Sequence, residues 1–214
     1  MNARTASAKP GQIELLASNR YYDPHLACEA VKLLPGEYYV GTGELVLVTA
    51  LGACVAACIR DRQSGIGGMN HFMLGDDGPA AHTLPLAGRA ARYGTHVMEV
   101  LINELLRKGA RRANLEAKVF GGGCATVQPA ENGAGRRNAR FVVDFLRTEG
   151  LPVVARDVLG NYPRKVYFFP GSGRVLVKKM LRQHNDTLLR RERSYAARLS
   201  HAPLAGEIDL FACP

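Results

Sequence analysis

The stretch Leu45-Val-Leu-Val-Thr-Ala-Leu-Gly-Ala-Cys-Val-Ala-Ala-Cys-Ile59 decides how this chain folds. It is apolar at nearly every position, lacks helix caps and is broken at Gly52, which predicts a buried strand, a tight turn, and then a second strand or a helix start. Glu44 and Arg60 bracket the run, and glycine interrupts it well short of the roughly 18 apolar residues a membrane span needs. The expectation is a soluble protein with no membrane insertion, and Cys54 falls just past the turn.

Outward from this stretch, Gly65-Ile-Gly-Gly leads into Met69-Asn-His-Phe-Met-Leu74, a short apolar segment bounded by glycines that reads as another strand and carries His71. In 93–108 the apolar Tyr93, Val97, Leu101 and Leu105 recur every four residues while His96, Glu99, Asn103 and Arg107 fall elsewhere, an amphipathic helix stopped by Gly109. Segment 115–120 reads as a strand running into Gly121-Gly-Gly123. Segment 136–149 reads as a second helix with Phe141, Val142, Phe145 and Leu146 inward. Strands are expected at 152–159, 165–169 and 174–179, the last two joined as a hairpin through Pro170-Gly-Ser-Gly173. Mixed strands with two helices predict an α/β (α+β) sandwich.

The chain has 214 residues, 47% hydrophobic and 22% charged, which fits one compact domain and excludes a disordered or low-complexity polymer. Composition shifts most at the two ends, so 1–20 reads as a flexible extension, 21–180 as the domain and 181–214 as a basic C-terminal extension. The first ten residues are polar, carry Arg4 and Lys9 and lead into no secretory signal. Five cysteines, an odd number at irregular spacing, read as reduced thiols in a cytoplasmic protein. The net charge of +9 raises nucleic acid as a partner class. Over half of it comes from 178–198, where seven basic residues face two acids. No zinc-finger spacing and no basic sheet with interleaved aromatics accompanies it, so a solvated face is the better reading and no nucleic-acid partner is expected.

Cys54 follows a glycine turn, where a sulfur can be presented and backbone N–H groups can point at a developing negative charge. Its neighbours Ala53, Val55, Ala56 and Ala57 favour plain burial on these residues alone. His71, in the next expected strand, is the natural base to reach it, and Thr49 could orient the imidazole, although threonine also suits any strand. A metal on Cys54, Cys58 and His71 is disfavoured, because along a strand the two cysteines lie about 13 Å apart at about 3.3 Å per residue. Gly121-Gly-Gly-Cys124 lacks the lysine and hydroxyl of a phosphate-binding loop and reads as a loop shaping a site.

The motifs Leu-Gly-Ala-Cys-Val-Ala-Ala-Cys-Ile-Arg-Asp (51–61), Gly-Gly-Met-Asn-His-Phe-Met-Leu (67–74), Tyr-Gly (93–94), Leu-Glu-Ala-Lys-Val-Phe-Gly-Gly (115–122), Gly-Arg-Arg-Asn (135–138) and Arg-Lys-Val (164–166) resemble, in order, the CheD family of chemoreceptor glutamine deamidases. The resemblance implies a single-domain β-sandwich of mixed strands flanked by helices (α/β/β/α layers). It implies hydrolysis of receptor glutamine amides to glutamate through a cysteine thioester, without metal or organic cofactor. Its nucleophile falls on Cys54, its histidine on His71 and its threonine on Thr49; Gly52 and Ala53 supply the oxyanion turn, and Asn70, Gly121 and Gly122 are substrate-loop candidates. Methyl-accepting chemotaxis receptors are the implied partners, with a chemotaxis phosphatase of the CheC type as a further one; a monomer is the expected state. Where the pattern expects glycine before Gly160 this chain has Leu159, and where it expects a small residue it has Cys124. The alternative reading is a non-catalytic module docking on receptors or the phosphatase, and the basic 178–198 segment is expected to touch an acidic receptor surface.

Overall fold

The computed structural model describes residues 15–75, 89–123, 133–180 and 186–201. The elements are β1 (Leu15–Leu16), β2 (Asn19–Asp23), β3 (Cys28–Lys32), β4 (Glu37–Gly41), β5 (Leu45–Leu51), β6 (Val55–Asp61), β7 (Gly67–His71), α1 (Arg89–Arg107), β8 (Leu115–Gly121), α2 (Ala134–Thr148), β9 (Val153–Val158), β10 (Arg164–Phe168), β11 (Val175–Lys179) and α3 (Asp186–His201). Strands β5 to β11 and helices α1 and α2 correspond to the segments expected from sequence, and the β10–β11 hairpin is antiparallel with Arg164 opposite Lys179.

The strands form two mixed sheets, one ordered β1-β4-β7-β6-β8-β9 and the other β11-β10-β5-β3-β2. The decisive stretch runs through both: β5 lies in the centre of the five-stranded sheet and β6 in the six-stranded one, so residues 52–54 cross from sheet to sheet. Alternation along β5 explains its double burial. Leu47, Thr49 and Leu51 face the sandwich interior, while Val46 and Val48 join Ala30 on the outer face beneath Tyr21, Leu26, Tyr167 and Phe169.

Both α1 and α2 pack on the six-stranded sheet, α1 against β4, β6 and β7, and α2 against β6, β8 and β9. The apolar stripe of α1 buries Tyr93, Val97, Leu101 and Leu105 as its spacing predicts. Each fully buried aliphatic side chain of this kind stabilises by about 1.5–3 kcal/mol. Among the described residues, therefore, neither helix forms a layer on the five-stranded sheet, whose outer face is covered by its own large side chains instead. No described helix is long and apolar enough to cross a membrane.

Within the stretch read as an N-terminal extension, Leu15–Leu16 form β1 and Asn19 opens β2. The chain after 180 is not wholly an extension either, because α3 buries Leu188, Tyr195 and Leu199. Cys124 and Cys213 lie outside the described residues; Cys28, Cys54 and Cys58 are free thiols.

Two connections matter for the site. Residues 34–37 make a tight turn, with Glu37 N–H donating to the Leu34 carbonyl at 3.0 Å; Pro35 suits its second position, and Gly36, at φ +87°, supplies the left-handed third. The Gly36 N–H then donates to the His71 carbonyl at 2.7 Å, anchoring the end of β7. At the far end of β6, the buried carboxylate of Asp61 accepts N–H bonds from Gln63 (2.8 Å), Ser64 (3.1 Å) and Arg111 (2.7 Å). Asp61→Ala leaves those donors unpaired and is expected to cost on the order of 3 kcal/mol. The check is a lower urea midpoint at unchanged m-value.

Candidate active site

The turn at 52–54 is held from behind. Gly123 N–H donates to the Gly52 carbonyl at 2.7 Å, Asn138 Nδ2 to the Ala53 carbonyl at 2.8 Å, and Gly122 N–H to the Cys54 carbonyl at 2.8 Å. In a trans peptide the N–H points opposite to the preceding C=O. Tying back the Gly52 and Ala53 carbonyls therefore turns the N–H groups of Ala53 and Cys54 forward, beside that of Gly52. All three converge on one carboxylate, that of Glu192 from α3, at 2.8 Å (Gly52 to Oε1), 3.0 Å (Ala53 to Oε2) and 3.1 Å (Cys54 to Oε1). Three convergent N–H groups form an anion nest.

The brace is tight. A Cβ on Gly121, which sits at φ +111°, would lie 2.2 Å from the Cys54 carbonyl oxygen, so that position admits only glycine. Asn138 is fully buried on α2, and its Oδ1 also accepts the Leu74 N–H at 2.9 Å, so one side chain links the turn to the chain leaving β7. Arg164, likewise buried, donates to the carbonyls of Gly121, Asp157 and Leu159. Leu159 stands where glycine was expected and keeps the left-handed backbone, φ +66°, at a strain of about 1 kcal/mol or more.

His71 ends β7, which pairs with β6, and a bridge between Val55 and Phe72 brings it beside Cys54. Thr49 reaches it from the opposite sheet, with Oγ1 2.7 Å from His71 Nδ1. The same Oγ1 donates to the Leu33 carbonyl at 2.9 Å. With the hydroxyl proton committed there, His71 must donate its Nδ1 proton to Thr49, which leaves Nε2 as the bare, basic nitrogen. That Nε2 is buried without a hydrogen-bond partner among the described residues. Ligand-capable atoms of Cys54, His71 and Glu192 all lie within 4.8 Å of one another.

Burial holds His71 well below its ordinary 6.5, at about 3, against an opposing pull from the Leu33 carbonyl. Burial likewise pushes the Cys54 thiol well up, reinforced by the charge of Glu192 and a hydrogen bond to it. In the state described, thiol and imidazole are both neutral.

The expected residues thus separate. Cys54, His71 and Thr49 come together, and Gly52 and Ala53 supply N–H groups beside them. Gly121 and Gly122 lie behind the 52–54 turn as its brace. Asn70 is buried in β7 with its side chain towards α1, accepting the Ala57 N–H at 2.9 Å and meeting Met98 Sδ at 3.4 Å, which makes it a tie between strands and helix. The metal-capable set is Cys54, His71 and Glu192, without Cys58; thiolate, imidazole and carboxylate together suit zinc, though an ion there would occupy the thiol. Sequence reasoning passed over Asn138 and Glu192. Both sit on the apolar stripe of a helix, Asn138 with Phe141 and Val142, Glu192 with Leu188, Tyr195 and Leu199, and a polar residue in that place is the signal that marked them.

A crossover between two mixed sheets here sets a thiol, an imidazole and an N–H nest side by side, parts that a hydrolytic site can use. The chain belongs to the CheD family. Residues 73–179 match the family described as CheD chemotactic sensory transduction. A protein of Dechloromonas aromatica (strain RCB) is 62% identical over 198 residues, 92% of this chain and 96% of its own. Relatives in Methylobacillus flagellatus and Thiobacillus denitrificans are 56% and 58% identical over the same length, 92% of this chain and 97% of theirs. All three are named "Probable chemoreceptor glutamine deamidase CheD", the first with the number 1.

His71 also carries a pH signature. Its folded value of about 3 lies below the ordinary 6.5, so the unfolded chain binds the extra proton between those limits. Its contribution is complete above pH 6.5 and is lost as pH falls from there towards 3. His71→Gln should flatten the stability-pH curve in that window relative to the natural chain, measured by urea titrations at several pH values; equal slopes would refute a neutral buried imidazole.

Proposed function

We propose that this chain is a protein-glutamine deamidase that converts glutamines of methyl-accepting chemotaxis receptors to glutamates with Cys54 as nucleophile. The observation that carries the reading is that Cys54 stands between a bare imidazole nitrogen and an N–H nest already filled by a glutamate carboxylate. A nest that fits the product's functional group also fits the oxyanion that precedes it.

In this reading the amide oxygen of a receptor glutamine enters the nest in place of Glu192. His71 Nε2 takes the Cys54 proton as sulfur attacks the amide carbon, and the three N–H groups stabilise the oxyanion. Thiol and imidazole each resist ionising alone in this buried setting, but charging together they form a mutually stabilised ion pair. The C–N bond breaks as His71 returns the proton to departing ammonia. Water, deprotonated by the same nitrogen, then attacks the thioester, sulfur leaves with the proton, and glutamate remains. Thr49 is a positioning residue: it keeps the Nδ1–H tautomer and so keeps Nε2 free. The cytoplasm, which maintains reduced thiols, is the compartment this chemistry needs. A monomer suffices for it, and a phosphatase of the CheC type is the further partner the reading admits.

Ammonia release from a receptor cytoplasmic fragment, paired with intact mass, tests the proposal. Cys54→Ser should bind the fragment and release almost no ammonia; undiminished turnover would overturn the assignment, and binding without conversion in the natural chain would favour a docking module. Thr49→Val should lower kcat about 100-fold with little change in KM, and Thr49→Ser should restore it.

A further inference from the structure

Glu192 occupies the place where the proposed reaction needs its substrate. Both its oxygens are engaged by the nest, and the contact is close enough that a Cβ on Gly52 would lie 2.7 Å from Oε2. Glu192 itself is only 5% exposed. It does not arrive by chance of a flexible side chain: Leu188, Glu192, Tyr195 and Leu199 lie four, three and four residues apart on one face of α3, and all are buried. The Tyr195 and Tyr93 hydroxyls bond each other, and Leu199 lies 3.9 Å from a Cβ built on Gly75. The other face of α3 exposes Arg190, Arg191, Arg193 and Arg198.

We infer that the 52–54 nest and the apolar seat around it form a binding site for a glutamyl or glutaminyl side chain presented on an amphipathic helix, and that α3 fills this site as a built-in product mimic which substrate must displace. The inference rests on the deamidase reading and concerns regulation of the same site. Its logic is chemical. A carboxylate on a two-carbon stem, held on a helix, is what the reaction leaves behind, and α3 holds that group against the nucleophile. While it is seated, the nest is closed to an incoming amide, and its negative charge opposes formation of the thiolate. A site that is competent only when α3 is out binds substrate more weakly in proportion to the open fraction.

The decisive test lets the chain act on itself. Glu192→Gln puts an amide of nearly the same shape into the seat, its oxygen accepting the Gly52 and Cys54 N–H groups while its NH2 gives up the Ala53 bond. Water and that amide give a carboxylate and ammonium, with the C–N bond broken, a C–O bond formed and both water protons passing to the departing nitrogen. Peptide mass spectrometry of the purified full-length variant should find the introduced amide converted to acid, and the Glu192→Gln, Cys54→Ala double variant should keep it. In parallel, Glu192→Ala should deamidate the receptor fragment with kcat/KM raised on the order of tenfold, mainly through a lower KM, as expected if the seat is open about a tenth of the time. Retention of the amide in the single variant, or no gain in Glu192→Ala, while the natural chain deamidates receptor, overturns the inference and leaves the deamidase reading standing. Failure of every form to deamidate either receptor or itself overturns the deamidase reading.

Discussion

Everything at this site depends on the carbonyl oxygens of residues 52–54 being bonded from behind. A three-residue crossover between sheets has no ladder to fix its peptide planes, and free peptide planes would not hold three N–H groups on one point. Gly122, Gly123 and Asn138 supply what the sheets cannot. The brace in turn explains much of the surrounding sequence. Gly121 must be glycine to let the loop approach the Cys54 carbonyl, and Arg164 is buried to hold the carbonyls of Gly121, Asp157 and Leu159 in one cluster. Residues on a loop, a helix and a distant strand thus act together through a single backbone conformation.

The second organising contact runs across the sandwich. His71 belongs to the six-stranded sheet and Thr49 to the five-stranded one, so their 2.7 Å bond fixes the imidazole only while the two sheets stay in register. Leu33 completes the chain, because its carbonyl takes the threonine proton and so decides the histidine tautomer. The turn after Leu33 also binds the His71 carbonyl through Gly36. Backbone and side chain of the proposed base are therefore set by one short segment, and its Nε2 is left free by elimination.

The central run 45–59 made β5, the turn at 52–54 and β6 legible, because a capless apolar run broken by glycine suits two buried strands. The strand carrying His71 and both helices of the domain were legible for the same reason, as their hydrophobic spacing matches their burial. The strands before residue 42 were not. β2 reads Asn-Arg-Tyr-Tyr-Asp and β4 Glu-Tyr-Tyr-Val-Gly, edge or near-edge strands whose polar residues hide any alternation. Asn70 illustrates another limit. Adjacent to His71 in a strand, it necessarily points to the opposite face, which a motif written as a string does not reveal. A polar residue on an apolar stripe marks Asn138 and Glu192 as unusual, but the partners they serve lie 85 and about 140 residues away, and no local pattern names those partners.

The basic segment makes the point about charge most clearly. Composition describes 178–198 by its seven basic residues, and the six of them among the described residues face outward: Lys178 and Lys179 from β11, and Arg190, Arg191, Arg193 and Arg198 from the exposed side of α3. An N–H nest presents positive potential, so none of those cations could enter it. The one acid on the inward stripe can, and it bonds the N–H groups of the 52–54 turn. The net charge of the helix and the charge it offers to the site thus have opposite signs. The helix docks by three apolar residues and one carboxylate, while the arginines that dominate its composition remain available to meet acidic surface without leaving the seat.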